Sequence, residues 1–374
     1  MKIKAAVLRA MGAPAPYANS KPLSIEEVEL DPPGPGEVLV RVSAAGLCHS
    51  DLSVINGDRP RIMPMVLGHE AAGVVEELGP NVDDLRKGDH VSMVFVPSCG
   101  HCLPCMEGRP ALCEPGAVAN GKGELLAGGR RLRRNGEALN HHMGVSCFAQ
   151  YATVSRRSLV KIDPEVPLDE AAMFGCAVLT GVGAVLNTAA VRPGQSVAVV
   201  GLGGVGLTSL LGALVAGARE VVAIDLNEQK LGLARQLGAT HAFNATDADV
   251  VDKVKDATKG GVDVAVEMAG SVKALETAYK VTRRGGQTVT AGLPNHAHTM
   301  ALSPVNLVAE ERTLKGSYIG SCVPLRDLPR YIALYRQGRL PVDRLLSDRL
   351  KLEEINEGFD RLAEGKAVRQ VIVF

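Results

Sequence analysis

A chain of 374 residues is longer than one hydrophobic core usually serves, so the sequence implies two domains. Forty-one basic residues balance forty-one acidic ones, which excludes a global field drawing the molecule to nucleic acid or to an anionic membrane and leaves small molecules as its partners. With 46% hydrophobic and 22% charged residues, the composition is that of an ordinary globular protein rather than a disordered or fibrous one.

Met1 to Ala10 carries Lys2 and Lys4 but no apolar core of secretory length, so a cytoplasmic location is the expectation. In that reducing compartment the eight cysteines persist as thiols, and metal binding or catalysis explains them better than disulfides do. Residues 1 to about 177 form a β-rich region, in which runs such as Glu37 to Ala44, Gly73 to Leu78 and His90 to Val96 are separated by Gly, Pro and Asp. Cys48 lies in Gly46-Leu47-Cys48-His49-Ser50-Asp51, His69 in Gly68-His69-Glu70, and Cys176 in Phe174-Gly175-Cys176-Ala177. Each alone is a weak signal, a single cysteine near a helix start being more often a small buried residue than a ligand, and spacing cannot bring the three together in space.

The loop that follows is more specific. Cys99-x-x-Cys102-x-x-Cys105, then Cys113 after seven residues, offers four thiolates among Gly100, Pro104, Gly108 and Pro110. That donor set suits a closed tetrahedral zinc of structural role, since four thiolates leave no position for a substrate. A nucleic-acid-binding zinc ribbon would show basic residues beside it. Arg130, Arg131, Arg133 and Arg134 read as a solvated basic loop. His141 and His142 are adjacent, so they face different ways on any strand, and neither is assigned a metal. His296, His298 and Cys322 are also left unassigned.

Ser196 to Ala218 is apolar enough to suggest a membrane span, but Val197 to Val200 is short and β-branched, and Gly201, Gly203, Gly204 and Gly206 suit a strand, a turn and a new helix. From Gln195 onward strands at Val197 to Val200, Val221 to Ile224, Val262 to Val266 and Thr288 to Ala291 alternate with helices at Glu228 to Leu237 and Val272 to Val281. Such alternation predicts an α/β domain with a doubly wound parallel sheet. In its first turn Gly201-x-Gly203-Gly204-Val205-Gly206 is followed by Asp225 at the end of the next strand, the pattern of a Rossmann dinucleotide site. Glycine lets the backbone approach a pyrophosphate, whose charge faces the positive end of a helix. Asp225 would accept from the adenosine ribose and repel a ribose phosphate, which favours NAD over NADP, and Lys230 is within reach of the same ribose. After about Ser321, a helix from Leu325 to Gln337 and a strand from Val371 to Phe374 do not extend the alternation, so the tail is expected to rejoin the first domain.

Gly68-His69-Glu70-x-x-Gly73-x5-Gly79, the Cys48 motif, the four-cysteine loop, the Gly201 fingerprint, Lys315-Gly316 and Ile355-Asn356-Glu357-Gly358-Phe359 occur in an order that resembles the zinc-containing medium-chain alcohol dehydrogenases, over nearly the whole chain. The resemblance implies a partly barrel-like, GroES-like catalytic domain at 1–177 and 321–374 and an NAD-binding Rossmann domain at 178–320. It implies two zinc ions per subunit, one held by Cys99, Cys102, Cys105 and Cys113 and a catalytic one held by Cys48, His69 and Cys176. It gives Ser50 the substrate oxygen and its proton, Asp51 the far nitrogen of His69, and His49 and Arg369 contacts to the cofactor pyrophosphate; Glu70, near the metal, reads as a charge partner. Ser53 departs from many relatives, which carry a relay histidine there, and leaves the proton to exit through water or His49.

The implied reaction is reversible hydride transfer between a primary alcohol, aliphatic or aromatic, and NAD, with Phe95 as one wall of the substrate pocket. The segment Glu114 to Met143 resembles one found in dimeric members, so a homodimer is expected. Two rivals stand beside this reading. A glutathione-dependent formaldehyde dehydrogenase resembles the chain around Gly121-Lys122-Gly123, although the arginine expected for the glutathione carboxylate is Ala117 here. A non-catalytic zinc protein sensing nucleotide redox state would need the same folds without an open metal position.

Overall fold

Glu37–Gly46 is buried along almost its whole length because partners flank it on both sides. It pairs antiparallel with Ala71–Leu78 and with Tyr151–Ser155, and its last residues pair with the final strand, Arg369–Val373. A strand enclosed in this way runs nearly continuous in apolar side chains, whereas Leu23–Leu30, with one wet face, alternates more. The computed structural model describes every residue from Met1 to Phe374. It places this strand at the centre of a seven-stranded sheet, beside a small closed barrel made of Lys2–Leu8, Leu23–Leu30, Leu132–Arg134, Glu137–His141 and Met65–Val66. The barrel is filled by Ile3, Val7, Val28, Leu30, Val66, Leu132 and Leu139.

The chain divides into two units, one of Met1–Cys176, Val323–Arg330 and Val342–Phe374, the other of Ala177–Cys322 and Tyr331–Pro341. The second unit is built on six parallel strands. Taken in chain order as one to six, they lie 3-2-1-4-5-6, the doubly wound Rossmann order. The apolar segment resolves into a fully buried strand, Ser196–Val200, and a mostly buried helix, Gly204–Val215, and no single helix is long and apolar enough to cross a membrane. Local chemistry marks the other helices. Asn227 caps Glu228–Leu237 by accepting from Gln229 and Lys230 N–H, and Gly238 ends it at φ 115°. Ser271 caps Val272–Val281.

Two elements differ from expectation. His241–Asn244 is an edge strand that sequence reading passed over, being short, half-buried and polar at both ends. The arginine run is not a solvated loop. Leu132–Arg134 is a barrel strand paired with Leu23–Leu30, and arginines of the run, within the strand and just before it, meet acids distant in sequence: Arg131 to Glu37 at 2.7 and 3.0 Å, Arg133 to Asp31 at 3.2 Å and Arg134 to Glu26 at 3.3 Å. Glu37 is 1% exposed, so Arg131→Ala would leave a buried carboxylate whose remaining side-chain bond is to the Gly34 N–H. We expect that variant to lose about 2–3 kcal/mol in denaturant unfolding, below the range for a fully buried pair because the Arg131 side chain is itself 27% exposed.

Candidate active site

Three segments of the first unit converge on one buried point. Cys48 stands in extended conformation at the start of the helix His49–Ile55, where N–H groups without a side-chain cap favour a thiolate. His69 follows Gly68, which sits at φ 90° with its Cα so close to Phe148 that a Cβ would come within 2.6 Å of the Phe148 nitrogen. Cys176 follows Gly175, where a Cβ would meet the Met93 carbonyl at 1.9 Å, so only glycine lets the chain pass the strand His90–Met93. The two sulfurs and an imidazole nitrogen lie within 4.8 Å of one another, all buried.

His69 fits a cation there. Its Nε2 is buried with no hydrogen-bond partner, while Nδ1 lies 3.0 Å from Asp51 Oδ2. Burial disfavours a charged imidazole, yet Asp51 and Cys48 push it up to about 10; a cation at Nε2 would take the place of that proton. Cys48 is held well below the usual thiol range by the Cys176 thiol and by His69, against burial. Asp51 is kept ionised although burial opposes it, because His69 and His142 both face it, and Oδ1 also accepts the Gly68 N–H at 3.0 Å. Phe95 is buried and sets its ring edge-on to His69, centroids 5.3 Å apart.

The other expected residues divide. Glu70 is fully buried and is bonded to the Arg369 guanidinium, which comes from the last strand and is also buried. Glu70 and Arg369 thus form a buried ion pair, and Arg369 faces inward with no hydrogen bond at Nε. Ser50 is half-buried on the first turn of its helix and His49 is exposed. Ser53 donates to the His49 carbonyl at 2.8 Å, within its own helix.

Cys99, Cys102, Cys105 and Cys113 place their sulfurs within 4.8 Å of one another, unoxidised. Backbone N–H groups of Cys99 and Gly116 reach Cys113 Sγ at 3.2 and 3.4 Å, and that of Cys102 reaches Cys99 Sγ at 3.3 Å. Burial pushes the Cys105 thiol up to about 12, while the N–H groups of His101 and Cys102 overcome burial and hold Cys99 down to about 6. Four thiolates this close cannot coexist without a cation, and four of them fill a tetrahedral zinc.

In the second unit the nucleotide turn has the shape a pyrophosphate needs. Gly201 takes φ 90° against Ala269, and a Cβ at Gly206 would meet the Gly201 carbonyl at 1.8 Å. At Gly203 a Cβ would stand in open space, so that glycine keeps room for something outside the chain. Gly204 and Val205 open the helix Gly204–Val215, whose N-terminus no side chain caps, leaving N–H groups for an anion. Asp225 ends the neighbouring strand and accepts from Leu202 and Asn227 N–H at 2.6 and 2.8 Å, which fixes its carboxylate beside the turn. Lys230 is half-buried one turn into the next helix.

Residues 34–164 match the family described as alcohol dehydrogenase GroES-like domain, and residues 204–337 match that of zinc-binding dehydrogenase. The S-(hydroxymethyl)glutathione dehydrogenase of Escherichia coli O139:H28 is 40% identical over 360 residues, 95% of this chain and 97% of its own. The chain belongs to the zinc-containing medium-chain alcohol dehydrogenase family. Among solved structures, an alcohol dehydrogenase zinc-binding domain protein from Burkholderia ambifaria is 38% identical with a TM-score of 0.94, covering 100% of this chain and 99% of that one. Benzyl alcohol dehydrogenase from Acinetobacter calcoaceticus is 34% identical with a TM-score of 0.93 at the same coverage. As a member of this alcohol dehydrogenase family the chain is an oxidoreductase acting on CH–OH donors, with zinc and NAD as its cofactors.

Metal analysis checks the two clusters separately. We expect two zinc equivalents per chain, Cys176→Ala to lose one with the fold retained, and Cys105→Ala to lose the other together with thermal stability; a single zinc in the parent would refute the pair of sites.

Proposed function

We propose that this alcohol dehydrogenase interconverts primary alcohols, aliphatic or aromatic, and their aldehydes with NAD, using Cys48, His69 and Cys176 as the ligands of its catalytic zinc. The observation that carries the reading is the buried trio with an orphaned His69 Nε2: three donors leave a tetrahedral cation one position for a substrate oxygen, unlike the four-cysteine loop. Zinc, when bound there, makes an alcohol hydroxyl acidic, as it lowers the pKa of water from about 16 to about 7, on the order of 10 kcal/mol.

The chain's own residues do the rest. Asp51 holds the Nδ1 proton of His69, so the lone pair of Nε2 points to the metal. Ser50 takes the hydroxyl proton and passes it on, because a serine oxygen is too weak a base to keep it. Ser53 is engaged with the His49 carbonyl, so the proton leaves through ordered water or through exposed His49. Glu70 neutralises Arg369 beside the thiolate of Cys48. Phe95, edge-on to His69, offers an apolar wall for the substrate chain. Asp225, with Lys230 near it, selects a free ribose hydroxyl and thus NAD, while the turn from Gly201 to Gly206 takes the pyrophosphate.

A second reading, oxidation of S-hydroxymethylglutathione, is supported by 40% identity to enzymes of that name. Against it stands Ala117, exposed on the helix Glu114–Lys122, which brings no cation to a glutathione carboxylate. NADH absorbance measured with primary aliphatic, benzylic and secondary alcohols, and with formaldehyde plus glutathione, separates the two. We expect turnover of primary alcohols without glutathione; strict dependence on glutathione would favour the second reading, and no turnover by the zinc-loaded protein would refute both. In the same assay Asp225→Gly should lose about tenfold in kcat/KM for NAD, about one charge-assisted hydrogen bond, and gain with NADP.

We also propose a homodimer. Thr313–Gly316 is a fully exposed edge strand of the parallel sheet, and Val305 and Val308 beside it in sequence are 70% and 80% exposed, a surface that pairing would cover. Light scattering should give twice 39.3 kDa; a monomer would refute it.

A further inference from the structure

A fully buried carboxylate needs donors for its lone pairs, and Asp51 has three groups facing it. Gly68 N–H reaches Oδ1 at 3.0 Å and His69 Nδ1 lies 3.0 Å from Oδ2. The third is His142, whose Nε2 lies 3.3 Å from Oδ1 and whose ring meets that of His69 edge to face, centroids 5.6 Å apart. Both imidazoles are 1% exposed in their side chains.

We propose that His142 is a positioning residue for the catalytic metal centre: by donating Nε2–H to Asp51 it holds the carboxylate where it fixes His69 with Nδ1 protonated and Nε2 free for the metal. This rests on the reading of Cys48, His69 and Cys176 as zinc ligands. The backbone of His142 is pinned for the task. Its N–H donates to Ser146 Oγ at 2.8 Å, and that hydroxyl donates to the Val66 carbonyl at 2.8 Å. Its neighbour His141 turns the other way, accepting the Arg131 N–H on Nε2 at 3.0 Å, so the end of the strand Glu137–His141 decides which imidazole enters the site.

The proton has one workable place. With the hydrogen on Nδ1, His142 would present a lone pair to an anionic oxygen in a site closed to water. Neither ring nitrogen has another hydrogen-bond partner, and Nε2 is the one that lies 3.3 Å from Asp51 Oδ1; with the hydrogen there it would donate to the carboxylate and leave Nδ1 as a bare lone pair. Asp51 would then accept a hydrogen bond from each imidazole as well as from the Gly68 N–H while staying anionic. Losing one of those donors lets the carboxylate rotate, and the imidazole it orients rotates with it.

The test uses the zinc-loaded enzyme and reads metal retention rather than turnover. His142→Phe keeps a ring against His69 and deletes the donor; His142→Gln puts an amide N–H back in reach of Asp51. We expect His142→Phe to release one of its two zincs to a chromogenic chelator about 10–100-fold faster, with the other zinc and the near-ultraviolet circular dichroism unchanged, and His142→Gln to recover most of the loss. The visible spectrum of the cobalt-substituted enzyme should shift in His142→Phe, and in an Asp51→Asn background the substitution should add nothing. Should His142→Phe not fold, His142→Leu, which also lacks a donor, takes its place. Wild-type zinc release in these donor-free variants, equal loss in His142→Gln, or full additivity with Asp51→Asn would overturn the proposal. So would loss of a third zinc equivalent, which would mean a metal held by Asp51, His69 and His142. Cys48→Ala separates the layers: if it keeps both zincs the ligand reading fails, and if it loses one while His142→Phe behaves as wild type, only the role of His142 fails.

Discussion

Gly68 stands at φ 90° with its N–H given to Asp51, and from that turn the next two side chains leave in the directions the site requires, His69 toward two sulfurs and Asp51, Glu70 toward Arg369. No residue with a Cβ could take that position, since Phe148 and Cys147 already fill the space. One backbone conformation therefore serves three buried charges together. If the turn relaxed, His69 would lose its orienting carboxylate and Arg369 its counterion in the same movement, so the geometry holds as a whole or not at all.

The charge balance explains why a metal belongs there. With zinc bound as proposed, the protons of Cys176 and His69 would be displaced, and two thiolates and two carboxylates would face a single guanidinium in a space where each unpaired charge costs several kcal/mol. A divalent cation brings the group close to neutral and makes each thiolate a ligand instead of a liability. The same logic separates the two clusters. The four-cysteine loop is stabilised by its own backbone N–H groups and lies partly open to solvent, so it serves the fold of its loop; the trio is dry and incomplete, so it can admit a substrate oxygen.

What the sequence could disclose follows the distance between partners. The four-cysteine loop and the Gly201 turn are legible because their partners lie a few residues apart, and the parallel sheet follows from alternating strands and helices, though not its short edge strand His241–Asn244. The trio joins residues 48, 69 and 176, too far apart in the chain for spacing to link them, so that only resemblance groups them. The arginine run looked solvated because Glu37, Asp31 and Glu26 lie about a hundred residues away and only barrel closure brings them near. His142 looked like one half of an undistinguished pair because a strand pattern tells that neighbours diverge, not which of them turns inward.

Arg369 adds a constraint of a different kind. It lies on the last strand, which is inserted between Glu37–Gly46 and Leu346–Leu350, and its guanidinium is the counterion of Glu70. The first unit thus opens the chain, is interrupted by the second, and is completed by the final residues. Until residue 369 arrives, Glu70 is an acid without its partner beside Cys48, and the central strand has an open edge where the last strand belongs. Closing contacts across some three hundred residues is slow because the loop entropy must be overcome before the pairing is gained. The second unit carries no such dependence, since all six of its sheet strands come from one continuous stretch. The nucleotide turn is therefore built from local chain alone, whereas the buried trio depends on the end of the chain for the positive charge beside its acids.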